Sequence, residues 1–451
     1  MSARIADSDA LVFAVGLEDT AIGSLVRGGD LTLDEYQLTG HYQHWRDDLD
    51  RVGATGATAL RYGFPWYRVN PAPGVFDWSW TDEVIDYVVE RVKVKIILDL
   101  VHYGVPTWLE GSFADPTFPD AIAEYARAVA ARYRGAVEAY TPLNEPLVTA
   151  SFCGMRAVWP PYLSGDNGWA AVLVPVMTGI QRAIRAIRDV DRDAEIVHVD
   201  AVQLYLTEDP SLDEEVLRWE RRARLPARLL LGQVSPEDED WSWLERHGVD
   251  PAALDRLRTG GERPDALGLN YYPELSCREI AWLDGRAVHV AVDGGVGAIQ
   301  GELRRCYAAY GLPLMVTETA VEGQADKKCA WVDQLVAGLH DLRGEGLPVV
   351  GLTWWPLVDF VDWSWASGGA VVEEFYQRDG PGQRPRPVAP PAATGASVVR
   401  FLRRMGIYEL EADAAGALQR RPTRLLGHIR AHAARLAAGQ PSAAGQPKAQ
   451  E

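Results

Sequence analysis

Thr141-Pro142-Leu143-Asn144-Glu145-Pro146 and Leu314-Met315-Val316-Thr317-Glu318-Thr319 each end a short apolar run with a glutamate, the point where a parallel β-strand passes into a loop. In a barrel of eight parallel strands every strand ends on the same face, so glutamates closing two distant strands look into one pocket. Two carboxyls roughly 5 Å apart are the minimum equipment for cleaving a glycosidic bond with retained configuration.

Working outward from these phrases, apolar β-type runs alternate with longer stretches at helical spacing, the sequence form of repeated βα units. The runs place barrel strands at 11–16, 57–63, 95–102, 137–144, 195–201, 266–271, 314–317 and 349–355, eight in all. The stretch 120–133, with Ala121, Ile122, Tyr125, Ala128, Val129 and Arg132, reads as an outer helix with one apolar face. Stretches 169–189 and 327–343 read the same way. A chain of 451 residues with 47% hydrophobic and 24% charged residues is long enough for one such domain. The fold expected is α/β, a single (β/α)8 TIM barrel over 1–438 with loop insertions at its C-terminal face. Residues 439–451, rich in Gly, Pro, Ala and Gln, read as a disordered tail. Segment 206–258, charged and Trp-bearing, reads either as a lid over the barrel mouth or as extra surface helices. Segment 375–394, with five prolines, reads as a loop.

The net charge of −18 and sequence pI near 5.0 argue against nucleic acid or an anionic membrane as partner. Cys153, Cys277, Cys306 and Cys329 form no CxxC pair, and no metal-spaced cluster, glycine-rich dinucleotide loop or P-loop is read, so the expectation is no metal and no cofactor. The first ten residues lack the apolar stretch of a secretory signal, and the apolar run 169–180 is too short to span a bilayer; a cytoplasmic location is expected. Oligomeric state is not legible.

Other strand ends carry polar and aromatic groups suited to a sugar: Leu60-Arg61-Tyr62, His102-Tyr103, Asn270-Tyr271-Tyr272, Trp354-Trp355-Pro356 and Asp359-Phe360-Val361-Asp362-Trp363. In this order, from about Phe13 to Arg424, the phrases resemble glycoside hydrolase family 1, the β-glucosidase family, with Asn144-Glu145-Pro146 the most specific element. The resemblance implies a retaining two-glutamate mechanism with Glu145 as acid/base and Glu318 as nucleophile. It implies that Arg61 and Tyr272 hold the nucleophile, that Asn144 and His102 meet the sugar 2- and 3-hydroxyls, and that Trp355 forms the floor under the ring. Asp362 and Trp363 fall at the wall facing the 4- and 6-hydroxyls.

Departures from that family fall on the sugar-selecting groups. Its first-strand Gln is missing from Gly16-Leu17-Glu18-Asp19-Thr20, its glutamate near strand eight is the shorter Asp362, and its His-Trp is His102-Tyr103. Glu18 reads equally as a replacement for the Gln or as a solvent-facing loop carboxylate. The expected substrate is therefore a small-molecule glycoside or oligosaccharide bearing a deoxy or otherwise non-standard sugar. Two alternatives stay open: the scaffold redirected to sugar transfer or another natural-product tailoring step, and a non-catalytic carbohydrate-binding protein.

Overall fold

The computed structural model describes residues 4–7, 10–22, 33–367, 375–378, 380, 383–388 and 397–438. Eight parallel strands close a barrel in sequence order: β1 Val12–Gly16, β2 Ala59–Gly63, β3 Lys95–Asp99, β4 Ala139–Thr141, β5 Glu195–Ala201, β6 Ala266–Asn270, β7 Leu314–Thr319 and β8 Val349–Trp354. Each pairs with its chain neighbours, and β1 closes the ring by pairing with both β2 and β8. All eight strands expected from the sequence are present. The disordered tail expected at 439–451 lies outside the described residues.

Alternation along the strands builds two cores. Val12, Ala14, Ala59, Ile97, Ala139, Val197, Val199, Ala266 and Met315 point inward, small residues set against larger ones so that the lumen is filled. Their neighbours Phe13, Val15, Leu60, Tyr62, Ile96 and Leu98 point outward and join the apolar faces of the surrounding helices. The stretch 169–180 lies within a helix of 26 residues, Gly165–Val190, longer than the sequence run suggested. By length and composition it could cross a membrane, but 72% of its most apolar window is buried inside the protein. It packs on the helix Phe118–Arg132 at Gly179, where a Cβ would stand 2.9 Å from both Ile122 and Phe118, so only glycine permits the approach.

Two insertions shape the mouth. Segment 206–258 contains the helices Asp213–Leu230, Glu239–Arg246 and Pro251–Thr259. Gln181 ties its first and last helices down by donating to the carbonyls of Leu229, Leu230 and Leu257. The segment is thus docked surface helix that also contributes Trp219 to the mouth. The second insertion is an antiparallel hairpin, Cys277–Leu283 with Arg286–Val292. Its turn, Asp284-Gly285, has positive φ at both residues, as a tight two-residue hairpin turn demands.

Candidate active site

Inward alternation carries Arg61, Asp99 and Asn270 to the C-terminal ends of β2, β3 and β6, two residues beyond Ala59, Ile97 and Gly268. Glu318 breaks that rule, because counting from the inward Met315 it should face out. A register shift between Val316 and Glu318, on the β6 side of β7, reverses this and turns the carboxyl into the mouth. Glu145, after β4, is reached through a non-glycine residue at φ 47, a strained conformation held by its N–H donating to the Val199 carbonyl at 3.1 Å.

One hydrogen-bonded chain connects the two glutamates. Arg61, with no exposure, donates from Nη1 to Glu318 Oε1 at 2.5 Å and from Nη2 to Asp99 at 2.5 Å and Asn144 Oδ1 at 2.8 Å. Asn270 Nδ2 donates to the same Asn144 oxygen at 3.1 Å and to Glu145 Oε1 at 2.8 Å. Tyr272 donates to the other Glu318 oxygen at 2.7 Å, and the Tyr103 hydroxyl donates to the other Glu145 oxygen. Two donors on Asn144 Oδ1 fix the orientation of its amide. Its Nδ2 therefore donates, to Tyr103 Oη at 3.0 Å and to His102 Nε2 at 3.1 Å. The carboxylates of Asp19, Asp99 and Glu18 pull the His102 pKa upward against burial. An acceptor Nε2 nevertheless requires the neutral ring, with its proton on Nδ1, 2.8 Å from Asp19. The hydrogen-bond geometry decides, since the Asn144 amide has no other orientation available.

Burial pushes Glu318 up to about 8, with Arg61 opposing and Glu145 adding to the rise. Burial also raises Glu145, against the hydrogen bonds from Tyr103 and Asn270. Two carboxyls so placed lose their protons as a pair, one well before the other. The direct guanidinium contact makes Glu318 the carboxyl that carries the first charge. Such a pair supplies one acid and one nucleophile from a single pocket.

The open pocket between them is lined by Glu18, His102, Tyr103, Glu145, Tyr272, Leu275, Glu318, Phe360, Asp362, Trp363, Arg403 and Met405. Of the residues singled out in the sequence, Glu145, Glu318, His102, Tyr272, Asp362 and Trp363 meet there. Arg61, Asn144 and Trp355 do not: each is buried behind the pocket surface. For Asn144, expected on a sugar hydroxyl, the reason is that both amide heteroatoms already serve protein partners. Trp355, expected as an open floor, stacks at 5.7 Å and 2° on His102. It lies so close over Gly16 that a Cβ there would meet its ring at 2.0 Å, and its Nε1–H donates to Glu18 at 2.9 Å.

Sequence reading left Glu18 undecided, noted Asn270 only as a polar strand end, and gave no role to Asp99 or Tyr103. Glu18 is 7% exposed and faces the pocket, not solvent. Asn270 carried a usable signal, an amide at the C-terminal end of an apolar strand. A second cavity of about 710 Å³ adjoins the first and shares Glu145, Tyr272, Leu275 and Trp363 with it.

The fold closely matches that of the family 1 β-glucosidase from Thermotoga maritima, with a TM-score of 0.75 over 96% of this chain and 99% of that one; at 16% identity the likeness is one of fold. A β-glucosidase from the same organism in complex with deoxynojirimycin matches equally well. By sequence, the chain is 24% identical to a 1,4-β-D-glucan glucohydrolase of Thermotoga neapolitana over 37% of its own length and 39% of that protein's. It is 24% identical to a bifunctional β-D-glucosidase/β-D-fucosidase of Bifidobacterium breve over 76% of its length and 87% of that protein's. The family model described as glycosyl hydrolase family 1 matches residues 34–279, more than half of the chain and enough to include Arg61, Glu145 and Asn270. This chain belongs to glycosyl hydrolase family 1.

Proposed function

We propose that the protein is a retaining glycoside hydrolase acting on a non-standard or deoxy sugar carried by a small-molecule glycoside. The observation that carries the reading is the continuous chain Glu318–Arg61–Asn144–Asn270–Glu145, which fixes two carboxyls with different partners on one pocket. Glu318, charged beside Arg61 and oriented by Tyr272, attacks the anomeric carbon, while Glu145 protonates the departing oxygen. Glu145, now a carboxylate, takes a proton from water, and the hydroxide released this way displaces Glu318 from the sugar. Two inversions leave the configuration as it began.

The sugar preference rests on Glu18 and Asp362. Glu18 fills the wall where the family has an amide, and a carboxylate accepts hydrogen bonds but donates none. A sugar wall that loses its donor discriminates against hydroxyls that need one, by a factor that unpaired polar groups make large. Asp362 is shorter by one methylene and is engaged by Ser364 at 2.9 Å and Arg403 at 3.4 Å.

Incubation with 2-deoxy-2-fluoro glycosyl fluorides of several sugars, followed by intact mass, tests the mechanism. A covalent adduct on Glu318 in the wild type, absent in Glu318→Gln, is the expected result. Folded protein that forms no adduct with any sugar overturns it. Faster hydrolysis of cellobiose than of any deoxy or aryl glycoside overturns the sugar preference alone.

A further inference from the structure

Outside the active site, the helix that follows β7, Ala325–Gly344, lies beside the last described helix, Arg424–Ala437. Their first turns are joined by the ion pair of Asp326 with Arg424, so the two run side by side in the same direction. Two turns on, Asp333 of the first helix meets both His428 and His432 of the second. The two Nε2 atoms lie 3.0 and 2.7 Å from the same oxygen, Asp333 Oδ1. The histidines are four positions apart, which on a helix puts both rings on one face, and their centroids are 5.0 Å apart. Among the described residues, two groups of three His, Cys, Asp or Glu side chains bring one ligand atom each within 4.8 Å of the others: this one, and Asp19, Asp99 and His102. The second belongs to the active site, where His102 directs its Nδ1 proton at Asp19 and keeps its Nε2 lone pair for Asn144. Asp333, His428 and His432 line neither of the two cavities at the mouth.

Two histidines one turn apart and a facing carboxylate are a ligand set for a divalent transition metal. Bonds of about 2.0–2.2 Å to imidazole nitrogen and carboxylate oxygen set neighbouring ligand atoms about 3 Å apart in octahedral and about 3.4 Å apart in tetrahedral coordination. The observed separations need to widen by less than about 1 Å, which side-chain rotation supplies. Two nitrogens and one oxygen select zinc, nickel or copper(II) over calcium and magnesium, which take oxygen ligands. His432 is buried, and burial lowers its pKa, which holds the ring in the neutral form that ligates. His428 and Asp333 are 29% and 47% exposed, giving an ion a way in and room for water at its remaining positions. The sequence shows only half of this set, because the carboxylate comes from 95 residues before the first histidine.

We propose that Asp333, His428 and His432 form a site for one divalent transition-metal ion, zinc above all, that clips the C-terminal helix to the helix after β7. In the unfolded chain the three ligands are not assembled, so the ion binds the folded state and stabilises it. The site stands apart from the reacting groups and does not depend on the hydrolase reading.

The full chain, made without a histidine tag and dialysed against EDTA, is titrated calorimetrically with zinc chloride. One zinc per chain is expected to bind at about micromolar Kd or tighter, weakened at least tenfold in His428→Ala and in Asp333→Asn. A rise in Tm of roughly 2–5 °C is expected at a hundredfold excess of zinc over Kd, lost in both variants and not produced by calcium. No zinc binding to the wild type overturns the proposal. So does binding that both variants keep, which would move the ion to another place such as Asp19, Asp99 and His102. A calcium response equal to that of zinc overturns the ligand class. Crystals of the wild type grown with zinc give a reading that needs neither variant to fold: an anomalous peak at the zinc edge between the three side chains supports the site, and peaks only elsewhere overturn it.

Discussion

Arg61, Asp99, Asn144, Asn270, Tyr272 and the two glutamates form one hydrogen-bonded set at the barrel mouth. Glu18, Tyr103 and Asp362, the positions read in the sequence as departures from the family, have partners of another kind: Trp355 and Thr20, Glu145, and Arg403. The two regions differ because a catalytic pair tolerates few arrangements, whereas a sugar-reading wall can be rebuilt around any hydroxyl pattern. If that division is right, substitutions in the hydrogen-bonded set abolish turnover on every substrate, and substitutions in the wall change which substrate is preferred.

The largest effect is expected for Glu318→Gln, which removes the proposed nucleophile and lowers kcat by roughly 10⁴-fold or more on any glycoside, measured by release of a chromogenic phenol. The same variant carries a stability signature. Burial raises both carboxyls, so the folded Glu145–Glu318 pair, with its charge on Glu318, holds a shared proton more tightly than the unfolded chain does. That contribution is complete below the ordinary carboxyl range and is lost as pH rises through the raised pKa of the pair. Tm of the wild type should therefore fall relative to Glu318→Gln between pH 5 and 8, and a gap independent of pH would contradict the shift. Next comes Arg61→Met, expected to cost roughly 10²–10³-fold in kcat/KM by removing the cation beside the nucleophile. It also strands Asp99 and Glu318 without their buried partner, a loss of about 3–5 kcal/mol in thermal unfolding. Arg61→Lys keeps the charge but cannot reach Glu318, Asp99 and Asn144 together, and should fall between the wild type and Arg61→Met in both measurements.

Much of this was legible in the sequence, for a physical reason. Strands buried on both faces must be apolar and short, so all eight could be located, and the glutamates ending the fourth and seventh stand out as charges where the runs stop. Three features were not legible. The register shift that turns Glu318 inward is a property of pairing with the neighbouring strands and leaves no mark on the residues themselves. Asn144 and Trp355 lost access to the pocket through a third dimension: their neighbours Tyr103, Glu18 and His102 come from the loops after other strands. The hairpin at Cys277–Val292 did have a signal, Asp284-Gly285 between two runs with Val288, Val290 and Val292 alternating, which a search for parallel strands passes over.

Tyr103→Phe probes the boundary between the two regions, because Tyr103 sits on the wall yet donates to the acid/base. Its hydrogen bond favours the charged form of Glu145, and removing it should raise that pKa further. The alkaline limb of kcat/KM against pH is then expected to move to higher pH, with a change of about tenfold or less at neutral pH and a larger effect on poor leaving groups than on nitrophenol. A profile that keeps its alkaline limb while KM rises would make Tyr103 a packing residue, and the wall would begin one position closer to Glu145.

The smallest effect, and the sharpest on the division itself, belongs to Glu18→Gln. The amide keeps an oxygen for the Trp355 Nε1–H and puts a donor where Glu18 Oε1 now accepts from Thr20, at a site some 4 Å from His102. None of the hydrogen-bonded set touches Glu18, so turnover of an activated glycoside should survive, while the ratio of kcat/KM for a β-glucoside over its deoxy analogue should rise by a few-fold to about tenfold. An unchanged ratio would mean that the sugar is selected elsewhere, with Asp362 the next residue to exchange for Glu. A general loss of activity would mean that Glu18 is tied to Glu145 and Glu318 through His102 and Asn144, and the wall and the catalytic set would have to be treated as a single network.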